Sequence, residues 1–318
     1  MIVVFTGGTG GAKLVQGLQQ RVAADKLTVI VNTGDDLEWW GLHVSPDIDS
    51  VLYALAGLLS TDRGWGVEGD SFRCLERMKQ LGEPSWFSLG DLDLATHLTR
   101  TAMLRAGRTL SEATAELARK FGICTRVLPM SDDRVSTMLD TAKGTLTFQE
   151  YFVRERYQVE ARAVRFECAE KARPAPGVIE SVERAEAIFL APSNPVTSIG
   201  PILAVPGIRE ALRQATAPII AVSPIVGGTA VSGPAAKLME MMGWPSSVAG
   251  IAQAYEDFLD ALVVDHADER EAKELRRRGL HVHCTQTLMR SPEDKLQLAQ
   301  SVLNITRTIG KTCVAASP

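Results

Sequence analysis

The segment TGGTGGAK, residues 6–13, places four glycines and one lysine directly after the apolar run Ile2–Phe5. Glycines let the backbone approach an anion closely, and a helix that starts here would point amide groups and its positive dipole end at that anion. Lys13 would stand in the first helical turn, within reach of a phosphate. The segment predicts a phosphate-facing loop with Gly8, Thr9 and Gly10 as contacts. A merely tight turn between strand and helix is the alternative.

Two familiar phosphate-binding templates fit this segment badly. The dinucleotide fingerprint GxGxxG, started at Gly8, would need a glycine where Lys13 stands. A P-loop would need Gly-Lys-Ser/Thr, but Lys13 follows Ala12 and precedes Leu14. The loop is therefore expected to face phosphate without following either template.

An acidic cluster follows the second apolar run, Leu27–Val31. Its four carboxylates are Asp35, Asp36, Asp47 and Asp49. Ligands of open α/β sheets bind beyond the carboxyl ends of the strands, and Mg²⁺ takes one or two carboxylates together with substrate phosphate oxygens. We therefore predict that these four acids form a magnesium site. The alternative is that Asp47 or Asp49 only caps a predicted helix at Val51–Leu59.

Three further segments carry polar residues suited to ligand binding. They are GDLDLATH at 90–97, APSNPVTSIGP at 191–201 and SPIVGGTAVSGP at 223–234. The last two directly follow apolar strands, and loops rich in small hydrogen-bonding residues suit a ligand with many polar atoms. A lone helical histidine such as His97 is more often structural than catalytic.

Four of the five tryptophans fall within the first 90 residues, namely Trp39, Trp40, Trp65 and Trp86. Aromatic rings stack well on planar ligands. For each tryptophan taken alone, core packing is the favoured interpretation. Their position among the acidic and glycine-rich motifs nevertheless predicts an aromatic ligand nearby.

The periodicity of apolar residues predicts an α/β fold with a doubly wound, mostly parallel, Rossmann-like sheet. Short apolar runs mark strands at 2–5, 27–31, 187–191, 218–222, 261–264 and 281–284, with helical patterns between them. Residues 61–174 differ, with three predicted helices followed by alternating short strands. We predict a nucleotide-binding core from 1–60 and 175–318, interrupted by a helix-rich insertion at 61–174. A capped helix is predicted to begin at Ser111.

Composition excludes several classes of protein. The chain has 318 residues, and its 34 basic and 38 acidic side chains give a net charge of −4, so no nucleic-acid partner is predicted. It has no apolar run of about 18–20 residues and no signal peptide, so we expect a cytoplasmic protein with no membrane partner. The five scattered cysteines, including Cys313, predict reduced thiols. The residues alone predict a magnesium-assisted enzyme that handles nucleotide phosphates.

Nine segments in order resemble one known family. They are FTGGTGGAKL, VNTGDD, SPDIDSVLY, DRGWGVEGDSF, GDLDLATH, LPMSDDRVSTML, APSNPVTSIGPIL, SPIVGGTAVSGPAAKLM and TLM at 287–289. Together they resemble the 2-phospho-L-lactate transferase (CofD-type) family of deazaflavin coenzyme F-420 biosynthesis. The resemblance extends from Met1 to about Ile309.

This resemblance implies a reaction. The family transfers a phospholactyl group, or in many bacteria a phosphoenolpyruvyl group, from a guanosine diphosphate-linked donor. The acceptor is the ribityl hydroxyl of Fo, an 8-hydroxy-5-deazaflavin. GMP is released, and the product is F-420-0 or its dehydro form. The resemblance also implies Mg²⁺, a homodimer and a functional link to the guanylyltransferase that makes the donor.

The resemblance also implies roles for individual residues. The family's metal-binding and acceptor-side aspartates match Asp35, Asp36, Asp47 and Asp49, with Asp49 as the contact to Fo. Asp47, Asp49 and Lys13 are the implied catalytic residues. Ligand-binding residues are implied in the glycine loop, at the GDxD motif and in the two later loops: Gly8, Thr9, Gly10, Ser88, Asp91, Asn194, Ser198 and Gly227.

One departure from the family pattern concerns the GDxD motif. Many relatives have arginine at its third position, where this chain has Leu92. Any contact made by that arginine would be lost, or supplied by Arg100 or Arg63. The identity of the three-carbon acid on the donor stays open at this point.

Two alternative functions remain open at the level of sequence. A non-catalytic regulator from a sister group binds nucleotide-sugars and shares the glycine-rich start. Its acidic loop is followed by a glycine- and serine-rich stretch, whereas this chain has LEWWGLHVSPDID. A nicotinamide oxidoreductase is suggested only by the parallel-sheet pattern, and the broken GxGxxG argues against it.

Overall fold

A seven-stranded parallel sheet forms the centre of the molecule in the computed structural model, which describes residues 1–309. Its strands are β1 (Ile2–Thr6), β2 (Leu27–Val31), β5 (Arg126–Pro129), β9 (Ala187–Leu190), β10 (Ile219–Val222), β13 (Ala261–Asp265) and β14 (His281–Thr285). They lie in the order β14-β13-β10-β9-β1-β2-β5. The predicted α/β class with a mostly parallel sheet is confirmed.

Alternate residues of the central strands enter two separate apolar cores. In β1, Val3 and Phe5 pack into one core with Ile188, while Val4 packs into the other with Phe189. All five of these side chains are fully buried. Because side chains of a strand alternate between faces, a strand covered on both faces is apolar throughout. This explains why short continuous apolar runs predicted the strands well.

Twelve helices surround the sheets within residues 1–309. They are α1 (Gly8–Gln19), α2 (Pro46–Leu55), α3 (Arg73–Gln80), α4 (Asp91–Arg105), α5 (Leu110–Lys120), α6 (Val178–Glu183), α7 (Gly200–Ala204), α8 (Ile208–Gln214), α9 (Ala235–Met241), α10 (Val248–Ala254), α11 (Glu269–Arg277) and α12 (Pro292–Thr306). No helix in this described part of the chain is long and apolar enough to cross a membrane.

Two helix starts differ from the predictions. The helix predicted at 51–59 begins at Pro46, because proline is well tolerated in the first turn, and it therefore includes Asp47 and Asp49. The helix predicted from Ser111 begins one residue earlier, where Thr109 and Glu112 form a reciprocal capping box. The prediction missed Glu112 because it placed the cap two residues too late.

Small antiparallel sheets complete the fold. They are formed by β3 (Leu37–Trp39), β4 (Leu42–Val44), β6 (Ser136–Thr141), β7 (Gly144–Thr147), β8 (Ala161–Glu167), β11 (Ile225–Val226) and β12 (Thr229–Ala230). The first hairpin, β3–β4, turns at Trp40 and Gly41, which both have positive φ. Neither this hairpin nor β6 was predicted. The strands of the hairpin have only three residues each, and two of the three buried positions of β6 are Thr137 and Thr141, which give no apolar alternation.

The segment 61–174 contributes to two sheets. Its strand β5 pairs with β2 at the edge of the central sheet, while β6, β7 and β8 form a separate antiparallel sheet. The division of the chain into a core and an insertion stays a prediction. Four cysteines within the described residues are free thiols, and Cys313 lies outside those residues.

Candidate active site

One large cavity opens at the carboxyl ends of the central strands and has a volume of about 1130 Å³. Single pockets for drug-sized ligands occupy roughly 300–1000 Å³, so this cavity exceeds the space that one such ligand needs. It lies where the strand order reverses between β1 and β9, the usual ligand position in such sheets. The cavity brings together most predicted site residues: Gly8, Thr9, Gly10, Lys13, Asp35, Asp47, Asp49, Ser88, Asn194 and Ser198.

The glycine loop is packed tightly between the acidic cluster and the loop after β9. A Cβ atom added at Gly7 would lie 2.6 Å from Asp47 Oδ2 and 2.8 Å from Ser198 Cβ. At Gly10 it would lie 2.6 Å from the Pro192 carbonyl oxygen. These two glycines are therefore needed for close approach of other protein groups. The amide of Gly8 donates to Asp47 Oδ1 at 2.6 Å, so that amide already has an anionic partner.

Asp35 and Asp47 are a buried acidic pair that lines the cavity. Asp47 accepts from Gly8 and, at 2.9 Å, from Asn32 Nδ2, while Asp35 Oδ1 has no hydrogen-bond partner among the described residues. Burial raises the pKa of Asp35 well above its usual value, and the charge of Asp47 raises it further. Burial also raises the pKa of Asp47 to about 6, although the bonds from Asn32 and Gly8 oppose this.

The pair Asp35 and Asp47 fits a divalent cation. Two buried carboxylates that repel each other, one with an unpartnered oxygen, are oxygen ligands whose charges a cation would neutralise. The other two predicted metal ligands differ from this pair. Asp36 also has a buried oxygen without a hydrogen-bond partner among the described residues, Oδ1, but it lies outside the cavity lining, and its Oδ2 contacts His43 Nε2 at 3.0 Å and accepts from the Ser45 hydroxyl at 2.7 Å.

The stability of the protein should depend on pH through Asp47. Since its pKa rises from 3.8 to about 6 on folding, the folded state holds this proton more tightly, and stability falls as pH rises from about 4 to 6. In an Asp47→Asn variant the side chain at position 47 does not titrate, so this loss of stability does not occur. We expect its free energy of unfolding, relative to wild type, to rise by up to ~3 kcal/mol between pH 4 and 7.

This pH dependence can be measured by urea unfolding in excess chelator. Only the change with pH is diagnostic. In Asp47→Asn the new side-chain NH2 group would face Asn32 Nδ2, and two donors cannot form a hydrogen bond, so this bond is lost at every pH. A difference between the two proteins that stays flat from pH 4 to 7 would contradict the raised pKa.

Asp49 is bound by Arg100 from α4. The guanidinium donates to both carboxylate oxygens, with a separation of 3.1 Å between Nη1 and Oδ2. Both side chains are buried, with exposed fractions of 5% for Asp49 and 0% for Arg100. A cation already neutralises Asp49, so the structure favours it as a polar contact within the cavity rather than as a metal ligand.

Three cavity residues beside Asp49 were not predicted as site residues. His97 Nδ1 lies 3.5 Å from Asp49 Oδ2, and Tyr53 donates to Asp93 at 2.6 Å. Burial opposes ionisation of Asp93, but contacts with His97, Tyr53 and Arg100 hold its pKa below the usual value. The spacing of Asp93, His97 and Arg100 at i, i+4 and i+7 places them on one helix face, a signal that the sequence did contain.

The predicted ligand residue Asp91 does not reach the cavity. Its carboxylate accepts from the Ser71 hydroxyl and from the amides of Arg73 and Cys74 at the start of α3. In return, Asp70 accepts from the first-turn amides of α4 at Leu92 and Asp93. The two helix starts thus exchange carboxylate caps, and Asp91 was mistaken for a ligand because a cap and a ligand share the same residue type.

Leu92, the departure from the family pattern, also lies outside the cavity lining and is 54% exposed. Arg100, one suggested substitute for the missing arginine, is committed to Asp49. Arg63, the other, does line the cavity, where its guanidinium lies over the rings of Trp65 and Phe72.

The loops after β9 and β10 line the opposite side. Asn194 Oδ1 accepts from the amides of Val196 and Thr197 and so caps the turn that presents Ser198. The predicted ligand residue Gly227 lies in the β11–β12 hairpin and does not line the cavity. Its amide donates to Asp268 at 3.1 Å instead. The neighbouring hairpin residues, including Thr229, line the cavity instead.

Only one of the four early tryptophans, Trp65, lines the cavity. Trp39 packs edge-on against Trp86 with 4.7 Å between ring centroids and tilts against Trp40 at 5.7 Å. For these three, core packing is therefore the correct interpretation. The apolar wall of the cavity includes Phe87, Leu89 and the stacked pair Phe148 and Phe152, whose centroids are 5.4 Å apart.

Comparison with known proteins shows the family to which this chain belongs. The profile of the family described as 2-phospho-L-lactate transferase CofD matches residues 2–298. The chain belongs to the CofD family. It is an enzyme of the CofD type, and the alternative of a nicotinamide oxidoreductase finds no support in these matches.

Relatives of the CofD type match the chain over nearly its full length. The 2-phospho-L-lactate transferase of Methanosarcina mazei is 43% identical over 302 residues, which cover 95% of this chain and 99% of that protein. The phosphoenolpyruvate transferase of Streptomyces griseus is 42% identical over 314 residues, or 97% and 99% of the two chains. These two relatives thus differ by only one percentage point in their identity to this chain.

The solved structures include a UPF0052-family protein from Bacillus halodurans. It aligns with a TM-score of 0.64 at 19% identity and covers 95% of this chain and 98% of its own. This likeness supports the fold that the CofD-type chain adopts.

Removal of the Lys13 side chain should weaken catalysis more than folding. Lys13 is half-buried, lines the cavity and lies in the second turn of α1, not in the first turn as predicted, because α1 begins at Gly8. One charge-assisted contact contributes roughly 1.5–3 kcal/mol, so Lys13→Ala should lower the rate of this CofD-type enzyme at least about tenfold. Lys26→Ala, at an exposed site, is the control. An unchanged rate and donor affinity for Lys13→Ala would place Lys13 outside the reaction.

Proposed function

We propose that this protein transfers a phospholactyl or phosphoenolpyruvyl group from a guanosine diphosphate-linked donor to the ribityl hydroxyl of Fo, and releases GMP. The donor's three-carbon acid and its bridging phosphate form a new ester with the hydroxyl oxygen. The bond to the GMP phosphate breaks, and the hydroxyl proton is lost. The proposal adopts for this chain the activity after which its relatives are named and the acceptor that its family resemblance implies.

The observation that carries the proposal is the composition of the cavity. Its polar side contains Lys13, a helix start and the acids Asp35 and Asp47, which suit a diphosphate with a divalent cation. Its apolar side contains Trp65 and Phe152, which suit a planar ring system. A volume of about 1130 Å³ leaves room for two substrates side by side.

Charge and position assign the donor side. The diphosphate would lie near Lys13 and the start of α1, and Asn194, Ser198 and the loop at 223–234 would contact the guanosine part. Asp35 and Asp47 would hold Mg²⁺, which when bound neutralises the charge that develops on the leaving phosphate. Held in this way, the donor presents its reacting phosphorus to the centre of the cavity.

The acceptor side is assigned to Asp49 and its surroundings. Asp49 and Ser88 would contact the ribityl chain, since carboxylate and hydroxyl oxygens accept hydrogen bonds from its hydroxyl groups. The apolar wall would cover the ring and exclude water from the reacting centre. We also propose that the protein is a homodimer supplied by a donor-forming guanylyltransferase, to be checked by light scattering and by the coupled assay below.

The decisive experiment is mass spectrometry of the product. The protein is incubated with Fo, GTP, Mg²⁺ and the partner guanylyltransferase, with phospholactate, phosphoenolpyruvate and 3-phosphoglycerate offered together. We expect one adduct of Fo to dominate, together with GMP, and its mass identifies the acid. Consumption of donor with no Fo adduct, while a characterised relative forms one in parallel, would contradict the proposed function.

Trp65 should contribute to binding of the acceptor. Aromatic contacts contribute on the order of 1 kcal/mol beyond area burial, so Trp65→Ala should raise the Kd of Fo at least about fivefold while the Kd of GDP stays unchanged. Calorimetry measures both. Trp40→Phe is the control, because Trp40 lies outside the cavity and its Nε1 donates to the Pro84 carbonyl. Equal loss of Fo and GDP affinity in Trp65→Ala would indicate a general structural effect instead.

A further inference from the structure

Five buried polar residues link α2 to α4 beside the cavity, and we call them the α2–α4 polar cluster: Tyr53, Asp49, Arg100, His97 and Asp93. Contacts run from Asp49 to Arg100, from Arg100 Nη1 to His97 Nδ1 at 3.4 Å, and from His97 Nε2 to Asp93 Oδ1 at 3.2 Å. The hydroxyl of Tyr53, one turn after Asp49 in α2, donates to the same Asp93 oxygen. The series of contacts thus begins at Asp49 and ends at Tyr53, which both belong to α2.

The chemistry of arginine fixes the proton on His97. A guanidinium only donates hydrogen bonds, so its contact with His97 Nδ1 requires Nδ1 to be the acceptor. In this tautomer the ring proton resides on Nε2, which lies 3.2 Å from Asp93 Oδ1 but has no hydrogen-bond partner among the described residues. The hydrogen bond that His97 makes within the cluster is therefore its contact with Arg100, and Asp93 lies beside the ring.

A metal ion is a poor alternative occupant of this cluster. Asp49, Asp93 and His97 each offer a ligand atom, and these atoms lie within 4.8 Å of one another. However, the Arg100 guanidinium already donates to both oxygens of Asp49 and lies beside His97. A second cation placed between them would be repelled at short range in a buried site. The arrangement is therefore suited to holding side chains in place.

We propose that His97 is a positioning residue, which acts through Arg100 to fix the orientation of the Asp49 carboxylate toward the acceptor. His97 lines the cavity beside Asp49 but has an exposed fraction of only 1%, and its ring contacts Arg100, so we assign it to holding Arg100 rather than to contacting the donor. Arg100 in turn sets the plane of the carboxylate because its two nitrogens engage both oxygens. This inference rests on the proposed function, in which Asp49 contacts the acceptor.

Two substitutions at position 97 separate the two contacts. The side-chain amide of asparagine reaches about as far as Nδ1, and that of glutamine about as far as Nε2. His97→Asn can keep the contact with Arg100, whereas His97→Gln can keep only the contact with Asp93. We expect His97→Gln to lower kcat/KM for Fo at least about tenfold and His97→Asn to stay within about threefold of wild type. The Kd of GDP should be unchanged in both.

The controls separate positioning from stability and from the proposed function. Thr99→Ala alters a partly exposed residue of the same helix whose hydroxyl donates only to the Ala95 carbonyl, and it should retain wild-type rates. Rates are divided by the folded fraction from thermal unfolding. Equal losses in the asparagine and glutamine variants, or a parallel loss of GDP affinity, would overturn the role of His97. Wild-type protein that forms no Fo adduct would overturn the proposed function instead.

Discussion

Asp47→Asn should lower the rate of transfer at least about a hundredfold, equivalent to roughly 2.7 kcal/mol of transition-state stabilisation. Asp47 is one of two buried cavity acids whose charges fit a divalent cation, and an amide supplies no charge for it. Asparagine can still accept from the Gly8 amide, so the start of α1 keeps its cap. Steady-state assays with a range of Mg²⁺ concentrations measure the effect.

Comparison variants make this result specific. Asp36→Asn alters an acid whose contacts lie outside the cavity, so we expect it to lose less than about tenfold. Asp140→Asn, at a half-exposed pair with Arg165 on a separate sheet, should keep the wild-type rate. Excess chelator should abolish activity, and Mg²⁺ or Mn²⁺ should restore it. Near-normal rates in Asp47→Asn, or in excess chelator, would remove the metal from the mechanism.

Asp49→Asn should destabilise the fold by ~3–5 kcal/mol, because the guanidinium of Arg100 is fully buried and would lose its charged partner. Adding Arg100→Met to this variant removes the unpaired charge and should recover most of the stability. Urea unfolding at neutral pH measures both changes. Activity normalised to folded protein should still fall at least about a hundredfold in Asp49→Asn, since the proposed acceptor contact changes.

The exposed pair of Asp140 and Arg165 provides the reference for this effect. Solvent-exposed ion pairs contribute at most about 1 kcal/mol, so Asp140→Asn should change stability little. If Asp49→Asn lowers the free energy of unfolding no more than Asp140→Asn does, then the buried charge of Arg100 does not need Asp49 as its partner. If Arg100→Met fails to restore the double variant, then the lost packing outweighs the unpaired charge.

The sequence predicted those features that depend on local pattern. Strands such as Ile2–Phe5 are buried on both faces, so their apolar runs are unambiguous. The glycine loop and Asp47 were predicted as site residues from residue type and position after a strand, and the structure places them in the cavity lining. Asp91 was chosen over Asp93 because position in the fold, and not residue type, decides which carboxylate caps a helix and which faces the cavity.

Long-range contacts account for what the sequence did not predict. The partner of Asp49 is Arg100, which is 51 residues away, and no local pattern links them. The tryptophans at 39 and 86 meet because β3 packs beside a distant loop, so neighbouring motifs gave no guide to their role. The capping box at Thr109 is local and could have been found, because Thr109 and Glu112 have the expected spacing.

The pairing of β1 with β9 has a consequence for biosynthesis. The first strand lies between β2 and β9, and Gly7 bonds to Ser193, 186 residues further along the chain. During translation, β1 must therefore wait with one edge unpaired until more than half of the polypeptide has left the ribosome. Exposed apolar edges of this kind favour aggregation and slow folding. We infer that the nascent chain becomes protected from aggregation only after its second half emerges, so amino-terminal fragments that end before β9 should be insoluble.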